Sequence, residues 1–165
     1  MKKLYLIRHA KSSRDTPGIK DKNRPLDKQG KAQIKLIGIH LARSGIVAQA
    51  LYSSPAKRAL DTAKGIAQRM GFPCARIKVM PLIYTSGVFR LLKMIKGFSN
   101  QVESAMVFGH NPEFFHLVNY LITNKINKFP TCGVFGIDFN VNSWRKVARK
   151  KGKLVFRALP KKNER

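Results

Sequence analysis

The chain has 165 residues, 44% of them hydrophobic, and carries 33 Lys and Arg against 8 Asp and Glu for a net charge of +25. That length suits one domain able to bury roughly 70% of the surface its unfolded chain would expose, and apolar runs of only a handful of residues exclude a membrane-crossing helix, which needs roughly 20. The two cysteines, Cys74 and Cys132, have no CxxC or histidine spacing around them, which excludes a disulfide framework and a zinc site and leaves two ordinary thiols.

Met1-Lys2-Lys3 is basic, but only four apolar residues follow before Arg8, too few for a signal-peptide core. The expectation is a soluble, cytoplasmic protein with no membrane partner. The positive charge favours acidic partners and is densest over residues 145–165, which hold ten Lys or Arg and only Glu164 as an acid. Nucleic-acid binding would call for interleaved aromatics or a recognisable motif, and neither occurs around Trp144 or Phe156. A solvated basic surface is expected there, not a dedicated nucleic-acid site.

Leu4-Tyr5-Leu6-Ile7 reads as a buried strand, because a continuous apolar run suits a parallel strand covered on both faces. Arg8 and His9 break the run at its carboxyl end, where open α/β sheets bind ligands. Residues 11–27, with Ser12, Ser13, Pro17, Gly18, Asn23 and Pro25, read as one loop overhanging that end. Asp27 can cap a helix from Lys28 to Ser44 that closes at Gly45. Its apolar positions Ile34, Ile37 and Leu41 keep helical spacing, and Ala32, Leu36 and Ile39 broaden the stripe. His40 within it reads as a packed or partly exposed histidine.

Ala48 to Ser53 predicts a second strand. Ser53-Ser54-Pro55 then starts a helix, with Ser as N-cap and Pro at the first position, and the helix ends at Gly71. Arg58 falls off its apolar stripe in the first turn, beside backbone N–H groups that favour an anion, although pairing with Asp61 is the plainer role. Ile77 to Met80 is a short strand candidate. A loop through Pro81 and Gly87 and a helix over Val88 to Ile95 follow, with nothing in this stretch demanding chemistry. Ala105 to Phe108 is another strand, ending in Gly109-His110-Asn111-Pro112, where Asn111 would cap a helix running to Ile122. His116 in that helix reads as packed or surface. A strand over Val134 to Phe139, a short helix near Trp144 and a strand over Leu154 to Ala158 complete a single α/β domain over residues 1–165.

If the strands ending in Arg8-His9, Ser53-Ser54 and Gly109-His110 are parallel neighbours, their carboxyl ends share one sheet edge. That edge would collect His9, His110, Arg8 and Arg58. Two histidines without a carboxylate cluster make a poor metal set, so no metal and no cofactor are expected. Two arginines and two imidazoles suit a phosphoryl group, whose oxygens arginine grips in bidentate fashion.

These residues also resemble a family. Arg8-His9, the segment Ser54-Pro55-Ala56-Lys57-Arg58-Ala59-Leu60-Asp61-Thr62-Ala63 and Gly109-His110-Asn111-Pro112 together resemble the histidine phosphatase, or phosphoglycerate mutase-like, superfamily. The short length and Arg24-Pro25-Leu26 are most similar to its small branch, the SixA-like phosphohistidine phosphatases, and the likeness extends through Thr131-Cys132-Gly133 to the final strand. The resemblance implies a three-layer fold, a mostly parallel sheet with helices on both faces. It further implies His9 as the nucleophile that becomes phosphorylated, with Arg8, Arg58 and His110 holding phosphoryl oxygens. Arg24, Ser12 and Asn111 join as substrate-binding residues. The implied partner is a phosphorylated protein, such as a histidine-phosphotransfer domain, or a small phosphorylated substrate.

One departure stands out. Many members of the superfamily carry an acid after the middle strand that protonates the leaving group, and here Met80-Pro81-Leu82-Ile83-Tyr84-Thr85-Ser86-Gly87 contains none. Glu113 and Asp15 are nearer in sequence to the proposed site, and neither is singled out as the donor. Lack of an acid penalises alkoxide leaving groups most, so phosphohistidine is the favoured substrate. The alternatives are a catalytically weak phosphate-pocket module that binds an acidic phosphoprotein, and a phosphatase of small phosphate esters.

Overall fold

The computed structural model describes residues 1–14 and 16–161, so Asp15 and Glu164 lie outside the described residues. In chain order the elements are β1 (Lys2–Arg8), α1 (Lys28–Arg43), β2 (Ala50–Ser53), α2 (Lys57–Met70), β3 (Lys78–Val79), α3 (Leu82–Thr85), α4 (Val88–Lys96), β4 (Ser104–Gly109), α5 (Glu113–Leu121), β5 (Val134–Phe139) and β6 (Gly152–Ala158). Short 3-10 turns occupy Asp21–Asn23, Cys74–Arg76 and Trp144–Lys146.

The strands form one sheet in the order β3-β2-β4-β1-β5-β6. Neighbours from β3 through β1 run parallel, and β5 is antiparallel to both β1 and β6. The fold is therefore a mixed, mostly parallel sheet between two helical layers, as expected. β1 is apolar throughout because it feeds both layers. Leu4 and Leu6 pack with Leu91, Ile95, Phe114 and Leu117 of α4 and α5, while Tyr5 and Ile7 pack with Ile34, Ile37 and Ile66 of α1 and α2. At the sheet edge, β6 alternates: Lys153, Val155 and Arg157 are exposed.

Asp27 caps α1 as predicted, its carboxylate accepting from the Gly30 N–H at 2.7 Å. The broadened stripe is not borne out, because α1 buries Ile34, Ile37 and Leu41 while Ala32, Leu36 and Ile39 face outward. α1 has α2 and the sheet on one side only, which leaves its far side to solvent. His40 and His116 are both exposed. Trp144 is fully buried, donating through Nε1 to the Val102 carbonyl.

Two helix starts differ from expectation. α2 begins at Lys57 without a side-chain cap, its first bonds running from the Ala59 and Leu60 N–H groups to the Ala56 carbonyl. Ser54 is engaged elsewhere. Likewise α5 begins at Glu113, and Asn111 does not cap it, because its Nδ2 donates across to the Phe129 carbonyl at 2.9 Å. The stretch expected as a loop through Pro81 and Gly87 contains the extra helical turn α3. No helix among the described residues is long and apolar enough to cross a membrane.

Gly109 ends β4 under this packing. A Cβ there would stand 2.5 Å from Phe114 Cζ and 2.8 Å from Ile83 Cγ2, both in buried residues. Overpacking of this kind typically costs about 1–3 kcal/mol. Gly109→Ala is expected to lower the unfolding free energy by that amount, read in urea unfolding as a lower midpoint with an unchanged slope.

Candidate active site

The site begins with strand register. Arg8 pairs with Gly109 across β1 and β4, and Ser53 pairs with Phe108 across β2 and β4. The ladder continues one step past the strands: the His9 N–H donates to the Gly109 carbonyl and the Ser54 N–H to the Phe108 carbonyl, both at 3.0 Å. His9, His110 and Ser54 therefore leave the sheet side by side. Cys132, in the left-handed region at φ 56°, donates its N–H to the carbonyls of both Arg8 and His9. Thr62 of α2 accepts from the Ala10 N–H at 2.9 Å, which fixes the chain just past the histidine.

The structure brings the predicted residues into one cavity of about 540 Å³, lined by Arg8, His9, Ser12, Arg24, Arg58, His110 and Asn111. Lys11, Arg14, Asp27 and Thr131 also line it. A larger cavity, about 740 Å³, lies beside the amino ends of β2 and β4, but its lining includes no histidine and no acid. The titratable chemistry gathers in the smaller one.

His9 and His110 are nearly buried, with ring centroids 5.3 Å apart. His9 Nδ1 lies 2.7 Å from the Ala10 carbonyl oxygen. A carbonyl can only accept, so Nδ1 carries the proton, and in the neutral ring Nε2 keeps its lone pair. His110 Nε2 pairs with Ser54 Oγ at 2.7 Å, and that hydroxyl also accepts from the Ala56 N–H. Ser54 thus orients His110 instead of capping α2. Arg8 donates through Nη1 to the Phe129 carbonyl at 3.0 Å. The described structure holds no protein partner for Arg8 Nε, Arg58 Nε or His110 Nδ1, all buried.

Arg58 does not pair with Asp61; Lys57 does, at 2.9 Å. Instead Arg58 donates through Nη1 to the Asp21 carbonyl at 2.8 Å and through Nη2 to Asp21 Oδ2 at 3.2 Å. Arg24 Nε donates to Asp21 Oδ1 at 2.9 Å, and its Nη1 reaches Ser12 Oγ at 3.2 Å. Tyr84 OH donates to Asp21 Oδ2 at 2.7 Å, and the Tyr84 ring meets His110 edge-on at 5.5 Å. Asp21 and Tyr84 are the residues that sequence reasoning missed. Asp21 sits in a loop of evenly mixed polar residues, and Tyr84 belongs to the stretch judged free of chemistry. Neither has a local pattern that would single it out, because their importance arises from contacts 37 and 63 residues away. Glu113 is not among the residues lining the cavity.

Burial pushes His9 down to about 4, aided by the charges of Arg58, Arg8 and Arg24 and opposed by its bond to Ala10. Burial likewise lowers His110 to about 3, with His9 and Arg58 adding to the effect. Asp21 is held at about 2, first by the Tyr84 hydrogen bond and then by Arg58 and Arg24 against a burial penalty. Cys132, beside the site, is pushed by burial up to about 12 and stays a thiol. Both cysteines are free. Among the described residues no group of three or more His, Cys, Asp or Glu could hold a metal ion.

Neutral imidazoles ringed by guanidiniums at the carboxyl edge of a parallel sheet define an anion site suited to a phosphoryl group. A family model described as histidine phosphatase superfamily (branch 1) matches residues 4–81. The chain belongs to the histidine phosphatase superfamily. It is 30% identical over 154 residues to an uncharacterized chloroplastic protein of Arabidopsis thaliana, covering 88% of this chain and 70% of the relative. In structure it is similar to the Agrobacterium tumefaciens protein assigned as phosphohistidine phosphatase SixA, with a TM-score of 0.83, 24% identity, and 96% and 98% of the two chains covered. It also matches the protein histidine phosphatase SixA complexed with tungstate, with a TM-score of 0.80, 20% identity, and 94% and 95% covered. A more distant match is the ecdysone phosphate phosphatase of the silkworm Bombyx mori, also with tungstate, with a TM-score of 0.66, 15% identity, and 100% and 96% covered.

The two depressed histidines make stability depend on pH. Unfolded, each titrates near 6.5; folded, near 4 and 3. Between those limits the unfolded chain binds more protons, so stability is complete above about pH 6.5 and falls as pH drops through the window. The slope approaches about 1.4 kcal/mol per pH unit for each histidine. Denaturation midpoints are expected to fall steeply from pH 7 to pH 5 in wild type and about half as steeply in His110→Asn.

Proposed function

We propose that this protein is a phosphatase that removes the phosphoryl group from a phosphohistidine of a protein, such as a histidine-phosphotransfer domain, through a phosphohistidine intermediate on His9. The observation that carries the reading is the His9 ring, whose Nδ1 is committed to the Ala10 carbonyl while Nε2 stays bare and neutral among Arg8, Arg58 and His110. Nε2 attacks phosphorus, the Nε2–P bond forms, and the bond from phosphorus to the substrate nitrogen breaks. Arg8, Arg58 and His110 bind the phosphoryl oxygens and stabilise their charge in the transition state, with Arg24, Ser12 and Asn111 lining the same cavity as further substrate-binding residues. Water then cleaves the Nε2–P bond, releasing inorganic phosphate and restoring His9.

The leaving group sets the substrate class. Asp21 is ionised at neutral pH, and the Tyr84 proton is held by its bond to Asp21, which raises the phenol. Asp21 has no proton to give, and Tyr84 is a poor donor of the one it holds. A phosphohistidine protonated on its other ring nitrogen departs as neutral imidazole without one, whereas an alkoxide needs a donor worth about 10²–10⁴ in rate. The names of the SixA matches support the same reading. A second reading, hydrolysis of small phosphate esters, is favoured by the fold match to an ecdysone phosphate phosphatase. The free thiols suit a reducing compartment, and we assign the protein to the cytoplasm.

A substrate panel separates these readings. Wild type is expected to hydrolyse a phosphohistidine peptide at least about 10²-fold more efficiently than an alkyl phosphate, the size of the missing acid contribution. It should also form an acid-labile phosphoenzyme that His9→Ala does not. Equal efficiency on both substrates would favour the small-ester reading, and binding without labelling would favour a phosphate-pocket module.

A further inference from the structure

Asp21 gathers donors from three parts of the chain: Arg58 in the first turn of α2, Arg24 three residues downstream, and Tyr84 in α3. Resting on the phosphotransfer reading above, we propose that Asp21 is a positioning residue, whose carboxylate locks Arg58, Arg24 and Tyr84 into one wall and so holds the Arg58 guanidinium at the geometry the transition state needs. The side chain of Asp21 is 54% exposed and that of Arg58 only 6%. An ion pair with one partner in solvent adds little to stability. The buried Arg58 guanidinium is nevertheless held at both terminal nitrogens by Asp21, Nη1 by its backbone carbonyl and Nη2 by its carboxylate.

The arrangement rules out two other roles. As a proton donor, Asp21 would need to be protonated near neutral pH, but two guanidiniums and a phenol keep it ionised. As a substrate ligand it would repel phosphoryl oxygens. What remains is preorganisation. With the Asp21 bonds in place, Arg58 meets an arriving anion already oriented. Without them the guanidinium is free to swing onto the ground-state phosphate, which tightens product binding and weakens the differential grip on the transition state.

The test uses the full-length protein with a phosphohistidine peptide as substrate and inorganic phosphate as competing ligand. Asp21→Asn, which removes the charge but keeps one acceptor, is expected to lower kcat roughly 10- to 100-fold, the scale of a misplaced catalytic group. The phosphate inhibition constant should fall severalfold, and the pH profile between pH 5 and 8 should keep its shape. Tyr84→Phe deletes a single bond without changing charge and is expected to move both constants the same way by a smaller factor, which covers the case in which Asp21→Asn folds poorly. Unchanged kcat in both variants overturns the proposal. So does a loss confined to alkyl phosphates with one limb of the pH profile removed, which would make Asp21 a proton donor. If wild type hydrolyses only esters, the phosphohistidine reading fails while the same two constants, measured on the ester, still decide the role of Asp21.

Discussion

The site depends on one constraint, the parallel register that places β1 and β2 on either side of β4. Arg8 opposite Gly109 and Ser53 opposite Phe108 fix where three chain segments leave the sheet. A slip of one residue on any strand would send its last side chain to the opposite face. The two-layer core enforces the register, because Leu4 and Leu6 belong to one helical layer and Tyr5 and Ile7 to the other. The geometry of the site is thus a by-product of packing. His9 is where it is because Ile7 is buried in one layer and Leu6 in the other.

That packing leaves costs at the strand ends. Two histidines and the Arg58 guanidinium are nearly out of water, and the Nε–H groups of Arg58 and Arg8 find no protein acceptor among the described residues. Each buried, unpaired donor typically destabilises a fold by about 1–3 kcal/mol. The surrounding structure tolerates this because the chain at His9 is over-determined. The N–H of His9 is tied to β4, its carbonyl to Cys132 and the next N–H to Thr62. The acceptors that would relieve the donors are the oxygens of a bound anion.

The strands, the long helices and the residues bordering the cavity were legible in the sequence because each announces itself locally. A buried strand reads as an apolar run, Asp27 as a cap, and His9 and His110 as breaks at strand ends. The helix starts after Ser54 and Asn111 depart from the sequence pattern for a common reason: both side chains have the chemistry of an N-cap, but tertiary partners claim them, His110 for Ser54 and the Phe129 carbonyl for Asn111. The sequence shows Arg58 off its helix stripe and toward the site, but its partner is not Asp61, one turn away; it is Asp21, in the loop before α1. Asp21 and Tyr84 were invisible because no period or spacing links residues 63 positions apart. The absence of an acid after β3 was legible, but the phenol that stands there and ties down a carboxylate from another loop was not.

One electrostatic field ties the proposed nucleophile and the missing acid together. Burial and the surrounding guanidiniums lower His9 to about 4, keeping the imidazole unprotonated, as the proposed attack requires. The same guanidiniums, with a phenol, lower the nearby carboxylate to about 2, which strips it of the proton a general acid would donate. A base and a carboxylic acid respond to positive charge in the same direction, so a pocket this cationic cannot keep its nucleophile neutral and also keep a carboxyl protonated unless that acid is shielded from the arginines. Asp21 is bonded directly to two of them. In the proposed chemistry the limit on leaving groups is therefore a consequence of how the nucleophile is activated. The substrates that suit the proposed activation are those that bring their own proton to the leaving nitrogen.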